Sequence, residues 1–452
     1  MSLNNLPVEW FETTLDQIAE WGSGGTPSRK NASYYGGDVP WIKTGDLGDK
    51  YVTQATEFIT EDAIKNSSAK FFKKGSVIMA MYGATIGKTS ILGIDATTNQ
   101  ACAVGTPIAT PTEYLYYFLK NEKDSFIAKG KGGAQPNISQ QIIKAHTIYL
   151  PSLNEQQEIV RQLDMMLAQV EQIKARLDAI PAILKKFRQS VLADAVSGKL
   201  TEEWRDTFET NNWMHKTLND IAVVKTGKTP SRKESKYWDN ASIPWLTSSA
   251  TGNTFSDKAD EFISEIASKE CNLIPFPKGT LLLAMYGEGK TRGQVTELLI
   301  EATCNQACAA ILVNYEIAYT SFVKIRLQEN YENIRKAASG GNQPNLNLNK
   351  VREIDIALPP LDEQVEISHK VAKLFTYADK IAETIQSAQK KVNLLTQSIL
   401  AKAFSGELTA EWRMQHQDLI TGVNSAEALL AKIQSEREAS KPVKNTCKKK
   451  EV

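Results

Sequence analysis

LPSLNEQQEI at 150–159 returns almost unchanged as LPPLDEQVEI at 358–367. After each, apolar residues fall on steps that alternate between four and three. The first run is Ile159, Leu163, Met166, Val170, Ile173, Leu177, Ile180, Leu184, Phe187 and Val191. The second is Ile367, Val371, Leu374, Ala378, Ile381, Ile385, Ala388, Val392, Leu395 and Ile399. A sustained mean step of about 3.5 is the seam of a coiled coil. Each run therefore predicts one long helix, with a rise of about 50 Å from Ile367 to Ile399. Asn154 is expected to cap the first helix, with Gln157 reaching back to it. Each run stops before a glycine, Gly198 or Gly406, where a left-handed cap is easy. Pro181 is expected to bend the first helix. Two such helices in one chain pair most simply with each other, antiparallel if a two-fold axis relates the halves. The alternative is that each packs on its own globular part.

Outward from these junctions the whole chain is written twice. TPSRK at 26–30 recurs at 229–233, VPW at 39–41 as IPW at 243–245, and MAMYG at 79–83 as LAMYG at 283–287. NQACA at 99–103 is identical at 305–309, and GGAQPNIS at 132–139 becomes GGNQPNLN at 340–347. AVSGKLTEEWR at 195–205 becomes AFSGELTAEWR at 403–413. The order never changes, so the chain is a duplication, and two copies in one chain make a pseudo-dimer. In each copy a region of short apolar runs and glycine-rich turns precedes the helix. GSVIMAMYG and GTLLLAMYG read as strands, and Pro111 to Glu122 as a helix. The expected class is α+β: two globular domains at 1–150 and 207–358, each followed by a helical region, at 151–206 and 359–413. The remainder, 414–452, reads as a short amphipathic helix through Ala426, Leu429, Leu430 and Ile433. A basic, disordered end follows, with Lys441, Lys444, Lys448, Lys449 and Lys450.

Composition narrows the class. Apolar residues make up 42% and charged residues 23% of 452, which fits a soluble globular chain rather than a disordered one. No apolar run is long enough to cross a bilayer, and no secretory signal opens the chain, so a cytoplasmic protein without membrane partners is expected. Five cysteines in this length exclude a disulfide scaffold and suit a reducing compartment. The net charge of +1 excludes a uniformly basic coat but not a basic face.

No catalytic motif emerges. GATIGKT at 83–89 has three residues between its glycines where a phosphate loop needs four, and GEGKT at 287–291 has one. Cys304 and Cys308 lack a second ligand pair, and the first copy has only Cys102, so buried cysteines are expected rather than a metal site. His146, His215, His369 and His416 are scattered. A binding or scaffolding role is expected, with no catalytic residue, no metal and no cofactor held by this chain.

The repeated loops carry a binding chemistry. Thr26, Ser28, Arg29 and Lys30 follow Gly24 and Gly25; Thr229, Ser231, Arg232 and Lys233 match them. Tyr82, Thr85 and Lys88 correspond to Tyr286, Lys290 and Arg292, and Lys131 and Gln135 to Asn342 and Gln343. Glycine lets backbone approach a ligand closely. Lysine and hydroxyls suit phosphates, while Arg, Asn and Gln can also read base edges.

On these junctions, helix ends and loops the chain resembles the specificity subunit of Type I restriction–modification systems over about 6–415. The resemblance implies two target recognition domains separated by an antiparallel helical pair, and no catalysis by this chain. It implies double-stranded DNA as ligand and two modification subunits that bind S-adenosylmethionine and methylate adenine. It further implies restriction subunits that use ATP and Mg. The copies differ in their loops, so the recognised halves should differ, with the helices fixing an unread spacer. The seam positions expected to form that spacer are Ile159, Leu163, Val170, Ile173, Leu177, Leu184, Ile367, Val371, Leu374, Ile381, Ile385, Val392 and Leu395. The alternatives are a subunit of a methyltransferase system that lacks a nuclease, a coiled-coil scaffold that never touches DNA, and an unrecognised enzyme.

Overall fold

The computed structural model describes residues 6–130, 137–208, 213–287, 290–339 and 346–439. The chain forms two compact units, Met1–Leu177 with Ala388–Val452, and Asp178–Ser387. Each long helix thus contributes one stretch to each unit.

The two units repeat one topology. In the first, a five-stranded sheet runs in the order Ala19–Ser23, Cys102–Pro107, Val77–Ala80, Thr89–Leu92, Tyr51–Val52. In the second, the order is Ala222–Thr226, Cys308–Val313, Leu281–Ala284, Val295–Leu298, Phe255–Ser256. The central strands VIMA and LLLA are buried along their whole length, as unbroken apolar runs covered on both faces should be. A helix, Thr112–Asn121 or Thr320–Glu329, packs on one face. Two-stranded antiparallel ribbons tie each domain's ends together: Phe11–Thr14 pairs with Thr147–Leu150, and Met214–Thr217 with Asp355–Leu358. The chain therefore leaves each domain where it came in, directly into a long helix.

The long helices span Leu153–Val196 and Leu361–Phe404. The first is capped by Ser152, whose Oγ accepts from the Glu155 N–H at 3.2 Å. Asn154 is not the cap: it lies inside the helix and its amide donates to the Leu419 carbonyl at 2.9 Å. The helix continues through Pro181. Gly198 and Gly406 end the helices in the left-handed region, at φ 76° and 80°.

Within each unit the two helix stretches run antiparallel. In the first, Ile159, Leu163 and Val170 share a core with Ile399, Leu400, Ala403 and Phe404. In the second, Arg188 bonds Asp379 at 2.7 Å, and Val191 and Ala195 share a core with Val371 and Ile367. The seam is buried in part. Ile159, Leu163, Val170, Ile367, Val371 and Ala378 are buried, Leu177, Leu184, Leu374, Ile385 and Val392 are half-buried, and Ile173, Ile381 and Leu395 are exposed. The physical reason is coverage. Near its C-terminal end the second helix meets aromatic side chains of the domain, with Tyr114 and Phe118 each 5.4 Å from the Phe404 ring.

A buried carboxylate closes each unit. Glu155, from the first LNEQ, accepts from Trp10 Nε1 at 3.0 Å, Thr409 Oγ1 at 2.7 Å and Arg413. Glu363, from the second, accepts from Thr201 Oγ1 at 2.8 Å, Arg205 Nη1 at 2.7 Å and Trp213 Nε1 at 2.9 Å. The partners are crossed. The LTAEWR of copy two holds the helix start of copy one, and the LTEEWR of copy one holds the helix start of copy two. The tail helix, Ala426–Ala439, packs on the first unit through Leu429 and Ile433, and Arg437 donates to the Asp16 carbonyl. The lysines at 441–450 lie outside the described residues.

Removing a buried carboxylate strands a largely buried guanidinium, which costs about 3–5 kcal/mol. Glu363→Ala is therefore expected to lower the denaturation midpoint. Hydrogen exchange followed by mass spectrometry should show faster exchange concentrated in 178–387.

Candidate nucleic-acid interface

The loops containing TPSR are built on a close backbone approach. A Cβ on Gly24 would lie 2.0 Å from the Thr98 carbonyl oxygen, one on Gly25 would lie 2.3 Å from the Ser68 backbone, and one on Gly227 would lie 1.6 Å from the Cys304 carbonyl oxygen. Only glycine allows the loop to lie against the turn that carries NQACA. That turn then bonds the loop: Thr26 Oγ1 donates to Gln100 Oε1, and Thr229 Oγ1 to Gln306 Oε1 at 2.6 Å. The VPW and IPW strands fix the other side. Trp41 Nε1 donates to the Gly25 carbonyl at 3.1 Å and Trp245 Nε1 to the Lys228 carbonyl at 3.0 Å. Ser28, Arg29, Lys30, Ser231, Arg232 and Lys233 form exposed tips.

The arginines of these tips are engaged within the protein. Arg29 lies over the Tyr35 ring at 4.3 Å and the Trp41 ring at 5.2 Å, and its fork meets the Glu57 carboxylate. Arg232 lies over Trp238 at 3.8 Å and Trp245 at 5.2 Å and pairs with Glu261 at 2.5 Å. Lys43 adds a second bond to Glu57 at 3.0 Å. Glu57 and Glu261 were absent from the residues singled out by sequence, although a repeat carries them: EFI at 57–59 returns at 261–263. Hydrogen bonds from Arg29 hold the Glu57 carboxyl down at about 2, against partial burial and with help from Lys43.

The other repeated motifs are chained to the same turn. The Met81 N–H donates to the Ala101 carbonyl at 2.9 Å, and the Ile138 N–H to the Met81 carbonyl at 2.9 Å. In the second unit Met285 bonds the Ala307 carbonyl at 2.7 Å. There a shallow cavity of about 520 Å³ is lined by Thr226, Tyr286, Gln306 and Asn347. Three repeated motifs thus meet on one surface. Tyr82 is exposed, and Thr85 Oγ1 donates to its carbonyl at 2.8 Å. Lys88 and Lys290 are exposed, and Arg292 is half-buried beside Arg335, which donates to its carbonyl at 3.4 Å. Lys131, Gln135, Asn342 and Gln343 lie outside the described residues. Cys102, Cys304 and Cys308 are buried in the cores, and burial helps a bond from Cys304 raise the Cys308 thiol. Among the described residues no cluster of three His, Cys, Asp or Glu could hold a metal, and no helix is long and apolar enough to cross a membrane.

Glu57 titrates below its ordinary value of 4.5. Its bonds therefore stabilise the fold above that pH, and the contribution is lost as pH falls toward about 2. The thermal midpoint of the native chain should fall more between about pH 5 and 3 than that of Glu57→Gln, which has no such charge to lose.

Comparison with known proteins agrees with this architecture. The family model of the Type I restriction modification DNA specificity domain matches residues 7–182 and 210–390, once for each copy. The EcoDI specificity subunit of Escherichia coli is 32% identical over 99% of this chain and all of its own length. The StySPI specificity subunit of Salmonella potsdam is 30% identical over 99% of this chain and all of its own. The crystal structure of the HsdS subunit from Thermoanaerobacter tengcongensis shares the fold with TM-score 0.59 at 16% identity, covering 90% of this chain and 99% of that one.

Proposed function

As this chain belongs to the Type I restriction–modification DNA specificity family, we propose that it reads a two-part DNA site, one half through each unit. The observation that carries this is the duplication of one loop constellation on two units whose loop residues differ: Lys43 stands where the second copy has Thr247, and Asn31 where it has Glu234. Identical scaffolds with different side chains suit two different half-sites, so the full site is asymmetric. Exposed Lys88 and Lys290 suit phosphates, which position a reader without specifying sequence.

The chain performs no chemistry in this reading. Two methyltransferase subunits dock on it, bind S-adenosylmethionine and methylate adenine, and restriction subunits that use ATP and Mg complete the enzyme. The long helices are the spacer between the half-sites, and the apolar seam positions they leave exposed, Ile173, Ile381 and Leu395, offer partner subunits an apolar footing. The compartment is the cytoplasm. A balanced net charge is tolerable because partner subunits add phosphate contacts of their own.

Mapping methylated adenines across the genome with and without the chain tests the proposal. A single bipartite motif should vanish when the chain is absent; an unchanged pattern overturns the reading. Exchanging 1–150 for the matching domain of another specificity subunit should replace one half-site only. Lys88→Ala or Lys290→Ala should weaken binding across all sequences and reduce the slope of affinity against salt by about one unit each.

A further inference from the structure

We infer that Arg29 and Arg232 are positioning residues, which clamp the TPSR loops so that neighbouring side chains can read DNA, and are not themselves base readers. The inference rests on the DNA-reading role proposed above. Arginine is the side chain most suited to guanine in the major groove, because its fork donates two parallel bonds. In the first unit that fork is already occupied, and in the second one arm of it is. Arg29 gives Nη1 and Nη2 to the two oxygens of Glu57, and Arg232 gives Nη2 to Glu261. Both faces of the choice are repeated: each guanidinium also stacks over two rings, Tyr35 and Trp41 in one unit, Trp238 and Trp245 in the other. The tryptophan in each stack donates to the backbone of its own loop, at Gly25 or Lys228. The ring, the carboxylate and the loop are therefore one unit, with arginine as the link.

Two features favour a clamp over a reader. The same arrangement of arginine, carboxylate and two rings recurs in two units whose other loop residues differ, and a shared group cannot distinguish the halves. Both side chains also remain about half exposed, at 56% and 55%, so burial alone does not hold them; the stack and the carboxylate do. Lysine cannot replace this link, since it can neither fork nor stack in the same way.

The test uses the full chain assembled with its methyltransferase subunits, on the recognised duplex and on duplexes carrying single base-pair changes in the first unit's half-site. Arg29→Ala and Glu57→Gln should each weaken binding to the cognate duplex by about two- to fivefold. The rank order among the altered duplexes should be kept. The double variant should be no worse than the weaker single, as two parts of one unit require. Arg29→Lys should behave as Arg29→Ala. In parallel, trypsin cleavage after Lys30 in the free chain should be several-fold faster in Glu57→Gln than in the native protein. Loss of discrimination at one base pair in Arg29→Ala, with Glu57→Gln unaffected, overturns the inference, as does unchanged cleavage at Lys30. If the native assembly binds no DNA, the reading of the function fails instead, and the protease measurement still decides whether the clamp exists.

Discussion

Each unit depends on one buried carboxylate at the start of a long helix. Glu155 and Glu363 are fully enclosed, and a bare charge there would be prohibitive. Each is satisfied by a tryptophan N–H, a threonine hydroxyl and an arginine. The tryptophan comes from the segment leading into the domain. The threonine and arginine come from the turn after the other long helix. Three segments distant in sequence therefore meet at one charge. The crossing of copies follows from antiparallel helices, because the end of one helix lies beside the start of the other. A duplicated sequence thereby becomes two equivalent units, neither of which is built from one copy alone.

The same economy governs the loops that carry TPSR. A glycine brings each loop against a turn, glutamine ties it there, tryptophan holds its other side, and an arginine meets a carboxylate at its tip. All these groups recur in both units. What differs between the units is the set of side chains projecting from the common scaffold. The protein keeps its fold-determining chemistry constant and leaves exposed positions to vary.

Much of this was legible beforehand. The seam steps fixed two long helices and their glycine ends, and the repeated motifs marked two equivalent domains. Alternating steps report helix period directly, and exact repeats report equivalence without any knowledge of contacts. The candidate site was legible as motifs but not as roles. Residue type and loop position mark Arg29 and Arg232 as DNA ligands, while Glu57 and Glu261, which pair with them, lie 28 and 29 residues further along, where no local pattern links them. Asn154 suits a cap by type, as Ser does; Ser152 takes that place because the helix begins at Leu153, directly after it.

The sequence by itself determined the duplication, the two helices and the family. Those depend on local period and on identity between copies, both written along the chain. Only the tertiary structure decided that the helix ends are exchanged between copies, that some seam positions are buried and others bare, and that the loop arginines meet carboxylates of their own domain. Each of these depends on which distant group fills a given lone pair or covers a given methyl, and such partners are chosen by packing in three dimensions.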